Sequence, residues 1–130
     1  MYDNAMIVEE KFRNITQGNQ VTGFQIGMRI PYYRGVVLSL LDETQLTVDG
    51  ELIPSEKITL TISGKTLPLM HLEEDPVTKW EFGDVGILTV DHPGGLPIGE
   101  HKLELYQHVR TPYIPGGVAG EDVKVVFLSE

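Results

Sequence analysis

The sequence predicts an all-β protein, an antiparallel β-sandwich of immunoglobulin-like character that forms a single domain over residues 1–130. Three observations support this class: short apolar runs that alternate with a period of two, turn signals at intervals of about 8 to 12 residues, and the lack of any run with a helical period. About nine or ten strands are expected. A chain of 130 residues is also long enough to bury roughly 68% of its unfolded surface without covalent cross-links.

The first third of the chain contains the clearest strand pattern. Met6–Ile15 is expected to be extended, and Val21–Ile30 alternates cleanly between apolar and polar side chains, as a half-buried antiparallel strand does. Val36–Leu41 is an apolar run suited to a strand that is buried on both faces. Asp42-Glu43-Thr44 is expected to break that strand.

Two hairpins are predicted in the middle of the chain. Asp49-Gly50 lies within Gln45–Ile53, and an Asp-Gly pair flanked by alternating apolar residues is the strongest short-range hairpin signal. Ser63-Gly64 is expected to join Ile58–Ile62 to Lys65–Leu69 in the same way. The expected elements of the remaining chain are an acidic loop at His71–Thr78, short strands at Lys79–Phe82 and Gly86–Val90, a long strand that ends at Val109, a long loop at Arg110–Asp122 and a last strand at Val123–Leu128.

The stretch Leu96–His101 supports the sandwich prediction. A leucine, a glycine three residues later and a ring residue two positions after that resemble the corner of immunoglobulin-like sandwiches, with His101 in the usual place of a tyrosine. We therefore expect His101 to bond to nearby backbone. In the last strand, the period of two places Val123, Val125 and Phe127 on one face.

Composition excludes several classes of partner. A net charge of −9 and a pI near 4.8 argue against nucleic acid and anionic lipid, since both require a basic footprint. Without cysteine the chain has no disulfide, thiol nucleophile or thiolate metal site. No export signal is visible at the N-terminus, and no apolar run approaches the roughly 20 residues that span a bilayer. The expected location is cytoplasmic.

The titratable residues do not form a recognisable catalytic or metal-binding set. His101 and His108 have opposite parity on one predicted strand and therefore face opposite sides of it. His92 precedes a proline in a turn, whereas His71 and His108 are expected at solvated surface positions. The carboxylates occur as sequence neighbours in predicted loops, which does not indicate the separated pair that a glycosidase needs. We assign no catalytic residue and no metal ligand to this chain.

Two irregular segments are the candidates for binding. Arg29–Gly35 contains Tyr32, Tyr33 and Arg34, and aromatic residues beside an arginine are typical of contact surfaces. If the backbone is extended there, one tyrosine can pack on the core and the other can face outward; the alternative is that both close one end of the core. Arg110–Gly117 contains Tyr113 between prolines and glycines. We predict Tyr32, Tyr33, Arg34 and Tyr113 as partner contacts.

The order of several segments resembles the small β subunit of bacterial C-glycoside deglycosidases along nearly the whole chain. The most specific pieces are Ile-Pro-Tyr-Tyr-Arg-Gly at 30–35 and Trp-Glu-Phe-Gly at 80–83. The other pieces are Met-Ile-Val-Glu-Glu-Lys-Phe-Arg-Asn at 6–14, Val-Thr-Gly-Phe-Gln at 21–25, Val-Asp-Gly-Glu at 48–51 and Pro-Gly-Gly-Leu-Pro-Ile-Gly-Glu-His at 93–101.

This resemblance implies a hetero-oligomeric lyase that cleaves the carbon–carbon bond between a 3-oxo sugar, as in an oxidised flavonoid C-glycoside, and its aromatic aglycone. In the family, a TIM-barrel α subunit carries the divalent metal, usually manganese, and the acid/base histidine, while the small β-sandwich subunit stabilises the assembly. The alternative function is a free-standing carbohydrate-binding sandwich that uses Trp80 and the tyrosines as stacking platforms. The alternative position for Trp80 is the core.

Overall fold

The computed structural model describes residues 6–32, 34–111 and 114–130. These residues form eleven strands in two main sheets and one small sheet, and every strand pairing is antiparallel. The prediction of an all-β antiparallel sandwich is therefore confirmed. The strands are β1 (Ile7–Gln17), β2 (Gln20–Met28), β3 (Val36–Val37), β4 (Leu41–Val48), β5 (Glu51–Leu52), β6 (Ile58–Ile62), β7 (Lys65–Pro68), β8 (Lys79–Trp80), β9 (Gly86–Asp91), β10 (Gly99–Val109) and β11 (Val118–Leu128).

The two main sheets pack face to face over one hydrophobic core. The first has five strands in the order β1-β2-β9-β6-β7, and the second has four in the order β11-β10-β4-β5. The short strands β3 and β8 pair separately. Trp80, Phe24 and Leu103 are among the core side chains with 1% exposure or less.

Both predicted hairpins are confirmed by their backbone angles. Asp49 and Gly50 have φ values of 52° and 84°, and Ser63 and Gly64 have values of 53° and 77°. Positive φ at both central residues is the mark of the type I′ turn, whose twist matches that of the flanking strands.

The region around residues 36–44 differs from the prediction. Only Val36–Val37 forms a strand, Leu38–Leu40 forms a 3-10 helix, and β4 already begins at Leu41. The predicted break at Asp42-Glu43-Thr44 is wrong, because Glu43 and Thr44 pair with His108 and Gln107 of β10, and Asp42 continues the strand at a register shift between Leu41 and Glu43. A neighbouring strand supplies the backbone hydrogen bonds that make the polar stretch extended.

The last predicted loop is also too long. β11 begins at Val118 instead of Val123, and Val118 pairs with Val109. Gly120 is buried within the strand opposite Gln107. Glycine is depleted in strands, so Gly120 makes the start of β11 difficult to predict from the sequence. Pairing with β10 makes this segment a strand.

Within residues 6–32, 34–111 and 114–130, helical structure is confined to short segments. The acidic stretch contains a 3-10 helix at Leu69–Glu74, and another 3-10 helix spans Ser55–Lys57. Among the described residues, no helix has the length and apolar character needed to cross a bilayer.

The sheet edges are joined on one side by β1 and β11. The N–H of Ile7 donates to a carboxylate oxygen of Asp122 at 2.8 Å, and the N–H of Asn14 donates to the carbonyl of Glu130 at 2.8 Å. The two strands therefore run in the same direction. Leu69 and Leu72 add to the core from the short helix that contacts β4.

This topology gives the sandwich two different ends. We call one the loop end; it comprises Leu38–Leu41 and the described parts of Arg29–Gly35 and Arg110–Gly117. These segments adjoin because Met28 pairs with Ile7, and Val109 pairs with both Leu41 and Val118. We call the other the turn end; it comprises Asp49-Gly50 and residues 92–101.

Candidate partner interface

The segment Arg29–Gly35 begins directly after β2. The N–H of Arg29 donates to the Met6 carbonyl at 2.8 Å, and Ile30 and Pro31 are buried. Tyr32 is 7% exposed and belongs to the core, whereas Arg34 is exposed. Tyr33 lies outside the described residues. The expectation that one tyrosine packs on the core therefore holds for Tyr32, and the predicted partner contacts stay a prediction.

The segment Arg110–Gly117 is joined to the start of β4. The N–H of Arg110 donates to the Leu40 carbonyl at 2.8 Å, and its guanidinium donates to the Ser39 carbonyl at 2.7 Å. The same guanidinium lies 3.9 Å from the carboxylate of Asp42. Tyr113, the other predicted contact, lies outside the described residues. The structure thus brings both candidate segments to the loop end.

His108 connects these elements from the surface, where the sequence places it, and its side chain is partly exposed. Its Nδ1 lies 2.5 Å from the carboxylate of Asp42, and its Nε2 lies 2.6 Å from the Gly116 carbonyl. Both partners can only accept, so the ring binds both best as the doubly protonated imidazolium. The Asp42 hydrogen bond, followed by the Gly116 hydrogen bond, raises the pKa of His108.

His101 forms the same kind of bridge at the turn end, and its predicted corner role is confirmed. The side chain is buried, with Nε2 2.7 Å from the Pro97 carbonyl and Nδ1 2.6 Å from the carboxylate of Asp49. Burial lowers the pKa of His101, but the hydrogen bonds to Pro97 and then Asp49 outweigh that effect and raise it overall. The His101 hydrogen bond in turn lowers the pKa of Asp49.

The other histidines have separate surroundings. His71 is exposed, as predicted, with Nδ1 2.6 Å from the carboxylate of Glu74. The ring of His92 packs edge-on against Phe24, with 5.8 Å between ring centroids. Within residues 6–32, 34–111 and 114–130, no three side chains of histidine, aspartate or glutamate group together as a potential metal site.

Trp80 occupies the core, as one of the two interpretations predicts. It is 1% exposed, and its indole N–H donates to the Asp84 carbonyl at 2.8 Å. A sugar-stacking platform must present a ring face to solvent, which Trp80 does not do. The structure therefore does not favour the carbohydrate-binding alternative at this residue.

Asp75 is a structural residue that the sequence interpretation missed. It is buried, and its carboxylate accepts from the N–H groups of Val77 and Thr78 and from Lys65 at 2.8 Å. The Lys65 ammonium, followed by the Thr78 N–H, holds the pKa of Asp75 well below its usual range. The signal was present, because aspartate in an Asp-Pro pair commonly bonds to backbone two residues later.

At the loop end, Asp42, His108 and Arg110 line an open surface hollow together with Ile114 and Pro115. Charged and apolar atoms thus lie side by side on an irregular surface, which suits contact with another protein better than enclosure of a small molecule. The class defined by the fold and this site is an antiparallel β-sandwich with one polar, irregular contact end.

Comparisons with known proteins give the family within that class. The family model described as C-glycoside deglycosidase beta subunit matches residues 2–113. A protein of that name from Eubacterium cellulosolvens is 40% identical in an alignment of 133 positions, which covers 98% of this chain and 90% of that protein. A 3'-dehydrocarminate deglycosidase beta subunit from Microbacterium sp. is 28% identical over 80% of this chain and 76% of its own length.

The chain belongs to the C-glycoside deglycosidase beta subunit family. It is therefore a subunit of a deglycosidase, and thus part of an enzyme that has at least one other kind of subunit.

Proposed function

We propose that this chain is the noncatalytic β subunit of a cytoplasmic C-glycoside deglycosidase whose active site lies on a TIM-barrel α subunit. The observation that carries the proposal is the family match over residues 2–113 together with 40% identity over nearly the whole chain. The names of the relatives supply the substrate class, a C-glycoside, and one of them specifies a dehydrogenated glycoside.

The reaction that follows from a 3-oxo sugar is a β-elimination. The ketone acidifies the hydrogen on C2, a base removes that proton, and the electron pair forms the C1–C2 double bond as the C1–aglycone bond breaks. The aglycone carbon leaves with the bonding pair and takes a proton from an acid. The reaction needs a base at C2 of the sugar and a proton donor at the aglycone carbon, and it requires no oxidant.

Two of the four histidines, His101 and His108, form structural bridges, and this supports a noncatalytic role for them. Both ring nitrogens of His101 and His108 face acceptors within 2.7 Å, so neither ring offers a lone pair that could remove a proton. The described residues also do not group the ligands that a divalent metal needs. We therefore assign the metal, manganese in the resembled family, to the partner subunit and derive no step from it here.

The experiment measures activity and native mass together. The chain is assayed on a 3-oxo C-glucoside with a manganese salt, alone and after co-expression with a candidate barrel subunit. We expect release of the aglycone only from a co-purifying complex, and Tyr33→Ala and Arg34→Ala should weaken that assembly. Release by the isolated chain would contradict the noncatalytic role, and unchanged assembly of both variants would move the interface away from Arg29–Gly35.

A further inference from the structure

The two outer faces of the sandwich differ in chemistry. The outer face of the five-stranded sheet carries hydroxyl and amide side chains, and Thr61 and Thr66 bond to each other there across β6 and β7 at 2.8 Å. Gln25, Thr89 and Thr59 follow one another across that face. The outer face of the four-stranded sheet instead carries an apolar row on its edge strand β11.

The row consists of Val123, Val125 and Phe127, which are 53%, 61% and 60% exposed. We call it the β11 row. Alternate residues of a strand lie about 6.8 Å apart on one face, so the three side chains form a continuous stripe. On the other face of β11, Asp122, Val126 and Leu128 are buried.

The continuous register of β11 with β10 fixes this orientation, because a slip of one residue would turn every side chain of β11 to the opposite face. The buried bond from the N–H of Ile7 to Asp122 adds an anchor beside β1. The row is therefore held outward by the native register. An apolar stripe with a polar surround is a usual mark of a protein-binding surface.

The surround is acidic. On β10, Glu100 pairs with Phe127, and Glu104 pairs with Val123. Lys102 lies opposite Val125, and its ammonium is 3.2 Å from the carboxylate of Glu104. The positive charge of Lys102 is therefore offset by Glu104. Glu121 extends the acidic border along β11 towards the loop end.

Tyr106, opposite Glu121, reports the same negative potential. Burial, followed by the carboxylates of Glu43, Asp42 and Glu121, raises the pKa of its hydroxyl. A surface that fits the row must therefore be apolar at its centre and basic at its border. A second copy of this chain fits poorly, because its own β11 row has the same acidic border and supplies no basic one.

We propose that the β11 row is a docking surface for the partner subunit, which covers it with apolar side chains bordered by lysine or arginine. This inference rests on the proposed function, since it takes the partner to be the catalytic subunit of the same enzyme. It adds a second surface to the contacts predicted at the loop end.

The size of the sheet face indicates that both surfaces belong to one interface. β11 has eleven residues, each about 3.4 Å long, and β11, β10 and β4 lie about 4.8 Å apart. The outer face of these three strands is therefore roughly 500 Å². A stable interface buries about 800 Å² per partner. The loop end begins where β11 begins, at Val118, so it can supply the remaining area in a continuous surface.

The test compares one substitution in the β11 row with one on the outer face of the other sheet. Val125→Glu places a charge in the β11 row, and Thr66→Glu, at an exposed β-branched residue on β7 of the five-stranded sheet, is the control. Each variant is co-expressed with the candidate barrel subunit, and the dissociation constant is measured after thermal unfolding has shown that the variant folds. We expect binding to weaken by at least about 100-fold for Val125→Glu and by less than about 3-fold for Thr66→Glu.

A second, more conservative pair of substitutions guards against the possibility that the glutamate variants fail to fold. Val125→Thr keeps the β-branched shape and the strand propensity but adds a hydroxyl, and we expect roughly 10-fold weaker binding, with no change for the reverse exchange Thr66→Val. If the wild type binds and the Val125 variants bind equally well, the docking proposal is wrong while the proposed function stands. If the wild type does not bind the barrel subunit, the proposed function fails and the docking proposal fails with it.

Discussion

The two ends of β10 carry the same chemical device in different surroundings. At the turn end, His101 bridges a carboxylate and a carbonyl inside the structure, with its side chain 8% exposed. At the loop end, His108 bridges the same kinds of group with 23% of its side chain exposed. The first bridge closes the core beside Phe12, whose ring meets His101 edge-on at 6.0 Å. The second holds a surface loop.

The role of a histidine bridge depends on how deeply the ring and its partners are buried. A buried bridge stabilises the whole fold, because removing the ring leaves polar groups and a cavity in the interior. A partly exposed bridge can be replaced by water and therefore mainly orders the loop that it holds. The turn end is thus expected to control stability, and the loop end is expected to control the shape of a contact surface.

The largest expected difference comes from removing each ring. His101→Ala should lower the free energy of unfolding by about 2 to 3 kcal/mol, since the Pro97 carbonyl and the Asp49 carboxylate lose their partner and the contact with Phe12 is lost. His108→Ala should cost less than about 1 kcal/mol. Urea unfolding of both variants measures the difference. Equal losses would show that the two ends are equivalent in stability.

A glycine pair tests how tightly each end is packed. Gly95 at the turn end and Gly116 at the loop end both have positive φ, 66° and 81°, so alanine is strained at either site by about 1 kcal/mol. A Cβ at Gly95 would also press on the side chain of Asn14, whereas a Cβ at Gly116 meets nothing within 4 Å.

Gly95→Ala should therefore cost about 2 kcal/mol or more, because Asn14 binds both backbone groups of Leu96, at 2.9 and 3.0 Å. Gly116→Ala should cost only the strain of about 1 kcal/mol. Thermal unfolding of the two variants under one set of conditions distinguishes them. A larger loss at Gly116 would mean that the loop end is the more constrained one.

The smallest expected effect is a dependence on pH. The pKa of His101 is raised in the folded state, so its contribution to stability is fully present below the unfolded value of 6.5 and is lost as pH rises through the folded value. Asp49→Asn removes the charge that favours the imidazolium and should reduce this alkaline loss.

Unfolding midpoints from pH 6 to pH 9 provide the measurement. His108, whose pKa is also raised, serves as the comparison, because Asp42→Asn should alter hydrogen exchange in the loop end with little change in the midpoint. An alkaline loss that persists undiminished in Asp49→Asn would mean that the His101 bridge is not its source.

Several features of this fold were predictable because they depend on local chemistry. Asp49-Gly50 predicts its turn because few residues besides Gly, Asn and Asp readily adopt two successive positive φ values. The spacing from Leu96 to His101 predicts a corner because a ring at that position can reach back to the Pro97 carbonyl. Opposite parity places His101 and His108 on opposite faces of β10.

Other features depended on partners far away in sequence. Glu43 and Thr44 lie in a strand because β10 pairs with them, although the sequence there predicts a break. The bridge from Asp42 to His108 joins residues 66 positions apart, and no local signal predicts it. The loop that ends at Gly117 is short because Val118 finds a partner in Val109.

The class of fold, the positions of the tight turns and the sharing of one face by Val123, Val125 and Phe127 follow from the amino-acid sequence alone, because each depends on backbone geometry or on a period of two. The outward direction of that face comes from tertiary pairing. The register with β10 puts Val126 and Leu128 on the inward face that Leu103 and Leu105 share. Asp122 can be buried on that face because its carboxylate accepts from the N–H of Ile7 and from the ammonium of Lys124, two partners that a buried charge requires.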